Sequence, residues 1–178
     1  AKTSIIGIED IVIDSNYIEN RKSSFIKVKL GKTSVATLSL ISVNDDIFEW
    51  IGSDNERIVT KNGRIIETSG LKHNSKILNL HQVKIEPGIE NELLISLFEP
   101  SATISQSILL IDLGEEILMM EKSYSSRVYQ EVFETNSYRW CGSNYYWLDS
   151  KTNLPIKTTS FTHPLLDVLE IEFYYKYD

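Results

Sequence analysis

Apolar and polar residues alternate with a period of two over several short stretches, each closed by turn residues. Phe25–Leu30 reads Phe-Ile-Lys-Val-Lys-Leu, a half-buried strand, and Gly31-Lys32-Thr33-Ser34 turns the chain. Val35–Val43 is a second β-rich run, ended by Asn44-Asp45-Asp46, and Ile47–Ile51 starts a third that carries Trp50. Arg57–Thr60 and Arg64–Thr68 flank Asn62-Gly63. An Asn-Gly pair between β-prone runs predicts a tight hairpin, because a type I′ turn needs positive φ at both central residues. Thr68-Ser69-Gly70-Leu71 breaks the second arm.

Asp14-Ser15 caps a predicted short helix over Asn16–Arg21. Lys72–Gln82 is expected to be irregular, and Pro87-Gly88 marks a turn. Leu93–Phe98 and Ser107–Leu113 are short apolar runs whose period alone does not separate strand from helix. Their length, with Pro100 and Gly114 as boundaries, favours strands. Ile117–Tyr124, Arg127–Glu134, Tyr138–Cys141 and Tyr145–Asp149 read as a meander, with a bulge expected where Tyr129, Val132 and Phe133 fail to alternate. Pro155–Phe161 and Leu169–Tyr177 complete the set. About ten short strands at such spacing predict a mainly β fold: a curved antiparallel sheet or partial β-barrel with one or two short helices. A faint echo between the segments after Trp50 and Trp147 needs no duplication to explain it.

At 178 residues the chain is expected to form a single domain, 1–178, with a core that needs no staples. The net charge of −7, spread along the chain, argues against nucleic acid or an anionic lipid surface as partner. The lone Cys141 excludes an internal disulfide and is expected to be a partly buried, inert thiol. No apolar run reaches the about 18–20 residues of a spanning helix. The start at Ala-Lys-Thr-Ser without Met reads as a trimmed mature chain.

Reactive chemistry finds little support. Gly31-Lys32-Thr33 resembles the end of a phosphate loop, but Ile26 stands where the first glycine belongs. His73, His81 and His163 lack metal-ligand spacing and read as turn or surface residues; no metal and no cofactor is expected. Asp45-Asp46 and Glu115-Glu116 are adjacent pairs that point to opposite faces of a strand, unlike the facing carboxylates of a glycosidase. No Gly-x-Ser-x-Gly elbow occurs. Trp50, Trp140 and Trp147, with Tyr145 and Tyr146, suit either a sugar-stacking surface or core packing, and packing is the commoner use.

Trp50 followed by Val59-Thr60-Lys61-Asn62-Gly63-Arg64 and by Thr68-Ser69-Gly70-Leu71 resembles the core pattern of the group 4 capsule polysaccharide lipoproteins of the YjbF/GfcB type. Val35–Leu40 resembles the strand before that Trp. Asn144–Asp149, Pro155–Thr158 and His163-Pro164 resemble the closing pattern. Lys22-Ser23-Ser24 stands in place of the family's Tyr-Ala-Ser. The resemblance implies a lipoprotein encoded with exopolysaccharide or capsule secretion, without catalytic residues, at the periplasmic face of the outer membrane. It implies anchoring by a lipidated Cys before Ala1, and a curved sheet like that of periplasmic lipoprotein carriers. Polysaccharide export proteins or an acidic exopolysaccharide are the implied partners. The implied motif and ligand surface comprises Trp50, Asn62, Gly63, Arg64, Thr68, Gly70, Leu71, Trp140, Tyr145, Trp147 and Pro164. Carriage of an apolar ligand in the curved sheet is the alternative.

Overall fold

In the computed structural model, which describes residues 9–176, the chain is an antiparallel meander that closes on itself. The strands are β1 Phe25–Leu30, β2 Ser34–Asn44, β3 Ile47–Ile51, β4 Arg57–Lys61, β5 Arg64–Ser69, β6 Asn74–Ile77, β7 Glu90–Phe98, β8 Ala102–Met119, β9 Ser123–Thr135, β10 Cys141–Asp149, β11 Pro155–Ser160 and β12 Leu169–Tyr174. Each pairs with its neighbours in sequence, and β1 pairs with β12, from Phe25 opposite Tyr174 to Leu30 opposite Leu169. A helix, α1 Ser15–Glu19, precedes the barrel; the Tyr17 N–H donates to Asp14 Oδ1 at 2.8 Å, the N-cap bond expected of Asp14.

The mainly β architecture agrees with the sequence pattern, and the sheet closes fully. Several local expectations need correction. Lys72–Gln82 is not irregular throughout: it holds β6 and a 3₁₀ turn, Leu80–Gln82. Gly114 does not end a strand. It sits at φ +90° in a bulge between Asp112 and Gly114, and β8 runs through it. The bulge expected on β9 is thus on the partner strand. Tyr138–Cys141 is mostly turn, with Tyr138 and Arg139 at positive φ, and the strand begins at Cys141. Cys141 is exposed rather than partly buried. The last expected strand stops at Tyr174, and Tyr177 lies outside the described residues.

Successive turns of such a meander alternate between two ends. One end carries Asp45-Asp46, Asn62-Gly63, the β8–β9 turn and Ser150–Leu154. The other carries Gly31–Thr33, Gly70–His73, Glu99–Ser101 and the segment 161–168.

A round barrel of this strand number would enclose an open lumen. Here the lumen is collapsed. β5 and β11 stand opposite one another in the ring, yet a Cβ on Gly63 would lie 2.7 Å from Pro155 Cβ and 3.3 Å from Thr158 Cγ2. The missing side chain lets the walls touch. The remaining interior holds two apolar clusters. One contains Ile26, Leu38, Trp50, Ile58, Leu169, Ile171 and Phe173; the other contains Leu93, Ile95, Leu97, Ile104, Ile108 and Phe133. Gly63→Ala therefore meets a left-handed backbone at φ +83° and an overpacked contact together. We expect a loss of about 2 kcal/mol in urea unfolding. Unchanged stability would mean that the walls do not meet there.

Candidate functional site

The interior position opposite the apolar side chains is polar. On β9, Tyr129, Glu131 and Phe133 fall on one face, and Glu131 is fully buried. Its register partner on β10 is Asn144, and Tyr129 faces Tyr146. Across the barrel, the residue after the Asn-Gly turn is Arg64. Its Nη1 donates to Glu131 Oε1 at 2.7 Å, and its Nη2 is in ion-pair contact with Oε2. Asn144 Nδ2 donates to the same Oε1 at 3.0 Å, and the Tyr146 hydroxyl reaches it at 3.4 Å. The guanidinium lies over the Tyr146 ring, 5.4 Å from its centre. Asn144 Oδ1 accepts from Phe161 N–H at 2.8 Å, so its amide is used at both ends. Both charges of the pair are buried and cross-satisfied, the condition under which a buried ion pair is tolerated.

This waist is bordered by Ile65 from the first apolar cluster and by Ile77 and Ile95 from the second. The space left among Arg64, Gln106, Asn144, Ser160 and Thr162 is about 20 Å³, enough for little more than one water. Chemically it is a clamp. The carboxylate is held by three donors and has no room beside it for a sugar ring.

Larger recesses open at the ends. One, about 430 Å³, is lined by Ile11, Val28, Leu30, Leu38, Ile58 and Leu169, with Asp54 and Glu56 at its rim. Beside it the N-terminal stretch is tied down by Asp10, which contacts Lys29 at 2.7 Å and Lys27 at 2.9 Å. The Lys29 ammonium foremost holds the Asp10 carboxyl below its usual range. The other recess, about 170 Å³, lies where Asn62 and Gly63 face Phe48, Leu154 and Pro155.

The eleven residues singled out in the sequence do not form one surface. Trp50 is fully buried, and its indole N–H donates to Thr60 Oγ1 at 3.1 Å; its ring packs edge-on to Phe173. Asn62 and Gly63 make the expected turn with φ of 50° and 83°, and Asn62 Nδ2 donates to Asp46 Oδ2. Arg64 is the clamp's cation. Thr68 is buried and accepts from Ser75 N–H at 3.1 Å. Gly70, at φ +74°, lies against the Asn55 backbone, and Leu71 packs on the first apolar cluster. Trp140 is half-buried, edge-on to Phe133. Tyr145 and Trp147 lie together on the outer face of β10; the Trp147 indole donates to Glu116 Oε1 at 2.6 Å, with Lys157 over its ring. Pro164 follows a histidine that is not at the surface.

That histidine, His163, is fully buried, which corrects the expectation of a surface role. Its ring stacks on His73 at 4.9 Å, and Leu165 N–H donates to its Nδ1 at 3.0 Å, leaving the proton on Nε2. Burial, and then the neighbouring His73, lowers its pKa below the ordinary value. The unfolded chain therefore binds the proton more readily, and stability falls as pH drops below about 6.5. Urea midpoints measured between pH 7.5 and 5 should decline over that window. His163→Asn should flatten the decline; an identical slope in the variant would remove His163 as its source.

Residues 1–174 match the model of a family described as the group 4 capsule polysaccharide lipoprotein gfcB, YjbF. The chain belongs to this YjbF family. Among solved structures, it is similar to the hypothetical lipoprotein YmcC from Escherichia coli, at 20% identity and a TM-score of 0.79. The match covers 92% of this chain and 89% of that one, and shows a shared fold. No curated protein matches. Membership of the YjbF family gives the chain a capsule-associated, lipoprotein character, and with it a membrane-anchored place in the cell envelope. The YjbF family is not described as one of enzymes.

Sequence reasoning missed Glu131 and His163. A signal for Glu131 existed: it shares parity with Tyr129 and Phe133, so a carboxylate falls in an inward row. Among the described residues no group of three or more His, Cys, Asp or Glu side chains could hold a metal ion.

Proposed function

We propose that the protein is a non-enzymatic accessory of capsule or exopolysaccharide secretion, facing the periplasm from the outer membrane. It acts by binding a protein of the export apparatus, or the glycan, on its outer wall. The observation that carries this reading is the collapsed interior: the Arg64–Glu131 clamp and the aromatic cores leave the barrel no lumen for a polymer. The buried carboxylate is engaged by Arg64, Asn144 and Tyr146, and the carboxylate hydrogen-bonded to Trp147, Glu116, is tied to the indole. Neither resembles the facing pair of a glycosidase. The net charge of −7 favours a protein partner over an acidic glycan. Tryptophan fluorescence titrated with acidic exopolysaccharide, together with capture of export proteins from membranes, tests the reading. A response in either supports it, and silence in both removes it.

The apolar recess of about 430 Å³ favours a second reading, carriage of a small apolar ligand at the barrel mouth. Native mass spectrometry of protein purified from membranes separates the two: a stoichiometric, non-covalent lipid supports the carrier, and its absence the accessory.

A further inference from the structure

Among the described residues, β8 leaves a long stretch of one edge unpaired. β8 pairs with β7 only from Ala102 to Leu109, whereas its pairing with β9 continues to Met119 opposite Ser123. The Gly88 N–H donates to the Leu110 carbonyl at 2.9 Å. Beyond that point no described residue pairs with β8 on that side. Ile111–Met119 is thus an edge strand on an arm that runs past the wall, about 30 Å long at strand rise.

The arm is held in place by its other face. Glu116 accepts from Trp147 on β10, and Ser126 and Val128 of β9 are buried. Arg127 bridges the two strands of the arm through Asp112, at 2.9 Å from its Nε, and holds that carboxyl well below its usual range. The edge is therefore fixed in extended form before any partner arrives, which reduces the ordering cost of binding.

Natural edges are blunted by lysine, proline or short length. Neither lysine nor proline occurs between Ile111 and Met119, although the stretch carries carboxylates and the Gly114 bulge. Instead Leu113, Ile117 and Met119 are 52%, 64% and 70% exposed. Acidic residues accompany them: Glu115, Glu116 and Glu121 stand beside Lys122, while Asp112 is paired with Arg127.

We propose that the Ile111–Met119 edge takes up an extended segment of another protein as an added strand, one in which apolar residues alternate with Lys or Arg. Main-chain hydrogen bonds would supply affinity, and the carboxylates would select the basic partner. A second copy of this chain is disfavoured, since it would set acidic residues against acidic residues. The proposal rests on the reading of this protein as a binding accessory and names the kind of partner.

Amide hydrogen exchange on the full chain tests it, with a capped octapeptide of alternating Lys and Val as probe and its Glu-Val counterpart as control. The basic peptide should slow exchange over Ile111–Met119 by about tenfold or more, and the acidic one should not. The double variant Ile117→Lys with Met119→Lys changes exposed side chains only and should lose the protection while keeping its unfolding midpoint. Equal protection by both peptides, protection elsewhere, or protection undiminished in the variant would overturn the proposal. Concentration-dependent protection without peptide would identify a second copy as the occupant and overturn it also. If the peptide binds but neither the glycan titration nor the capture responds, the edge stands and the functional reading falls. If capture persists in the double variant, the edge falls and the functional reading stands.

Discussion

Arg64→Met should destabilise the protein by about 3–5 kcal/mol, the range for breaking a buried ion pair from one side. The cause is not the lost attraction alone. Glu131 is fully buried, and with the guanidinium gone only Asn144 and the more distant Tyr146 hydroxyl remain to solvate it. Adding Glu131→Gln removes the stranded charge yet keeps an oxygen for Asn144 to donate to. The double variant should therefore recover more than half of the loss, because buried pairs replaced on both sides are often close to neutral. Urea unfolding of the four proteins gives the coupling directly. Additive losses would mean that the two residues act independently, and the clamp would not exist.

Trp50→Ala should cost a comparable amount, about 3–5 kcal/mol, the range for emptying a large aromatic site. Trp50 touches Phe48 and Phe173 and is fully buried in the first cluster, so the surrounding walls of three strands cannot collapse into the space. The substitution also strands the Thr60 hydroxyl, which loses the indole donor. Trp147→Ala, on the outer wall, should cost under about 1 kcal/mol. If the two variants lost equal stability, the division of the tryptophans into core and surface would be wrong.

The hairpins and the N-cap were legible because each is a local event. Asn62-Gly63 carries its turn in two residues, and Phe25–Leu30 carries its strand in the alternation of its sequence. Closure was not legible, since β1 meets β12 across most of the chain and no local pattern encodes that register. Gly114 misled because a glycine in a β run reads alike as a strand end or a bulge, and the difference lies in the partner, where Val128 and Tyr129 continue unbroken. β6 was hidden because Asn74–Ile77 is short and polar and stands as a strand through its pairing with β7. For the site, the sequence pointed to Arg64 and Gly63 as motif residues without their partners. Glu131 and Pro155 are distant in sequence and adjacent only once the barrel flattens. His163 was read as a turn residue from its proline neighbour; its burial follows from the segment 161–168 folding back against His73.

The residues on which the sequence resembles the YjbF family mostly build the barrel. Trp50 fills a core, Gly63 lets two walls touch, Arg64 ties them, and Gly70 sits against backbone. A pattern of that kind marks a fold, and it leaves the outer wall and the β8 arm free to differ in what they bind.

The central claim is that the interior is structural and the outer surface carries the role. Surface capsule or exopolysaccharide yield in a deletion strain tests it, complemented either by Arg64→Met with Glu131→Gln or by Ile117→Lys with Met119→Lys. With both proteins present at wild-type abundance, the interior variant should restore the yield and the arm variant should not. A folded, abundant interior variant that fails to restore the yield, beside an arm variant that succeeds, would contradict the account.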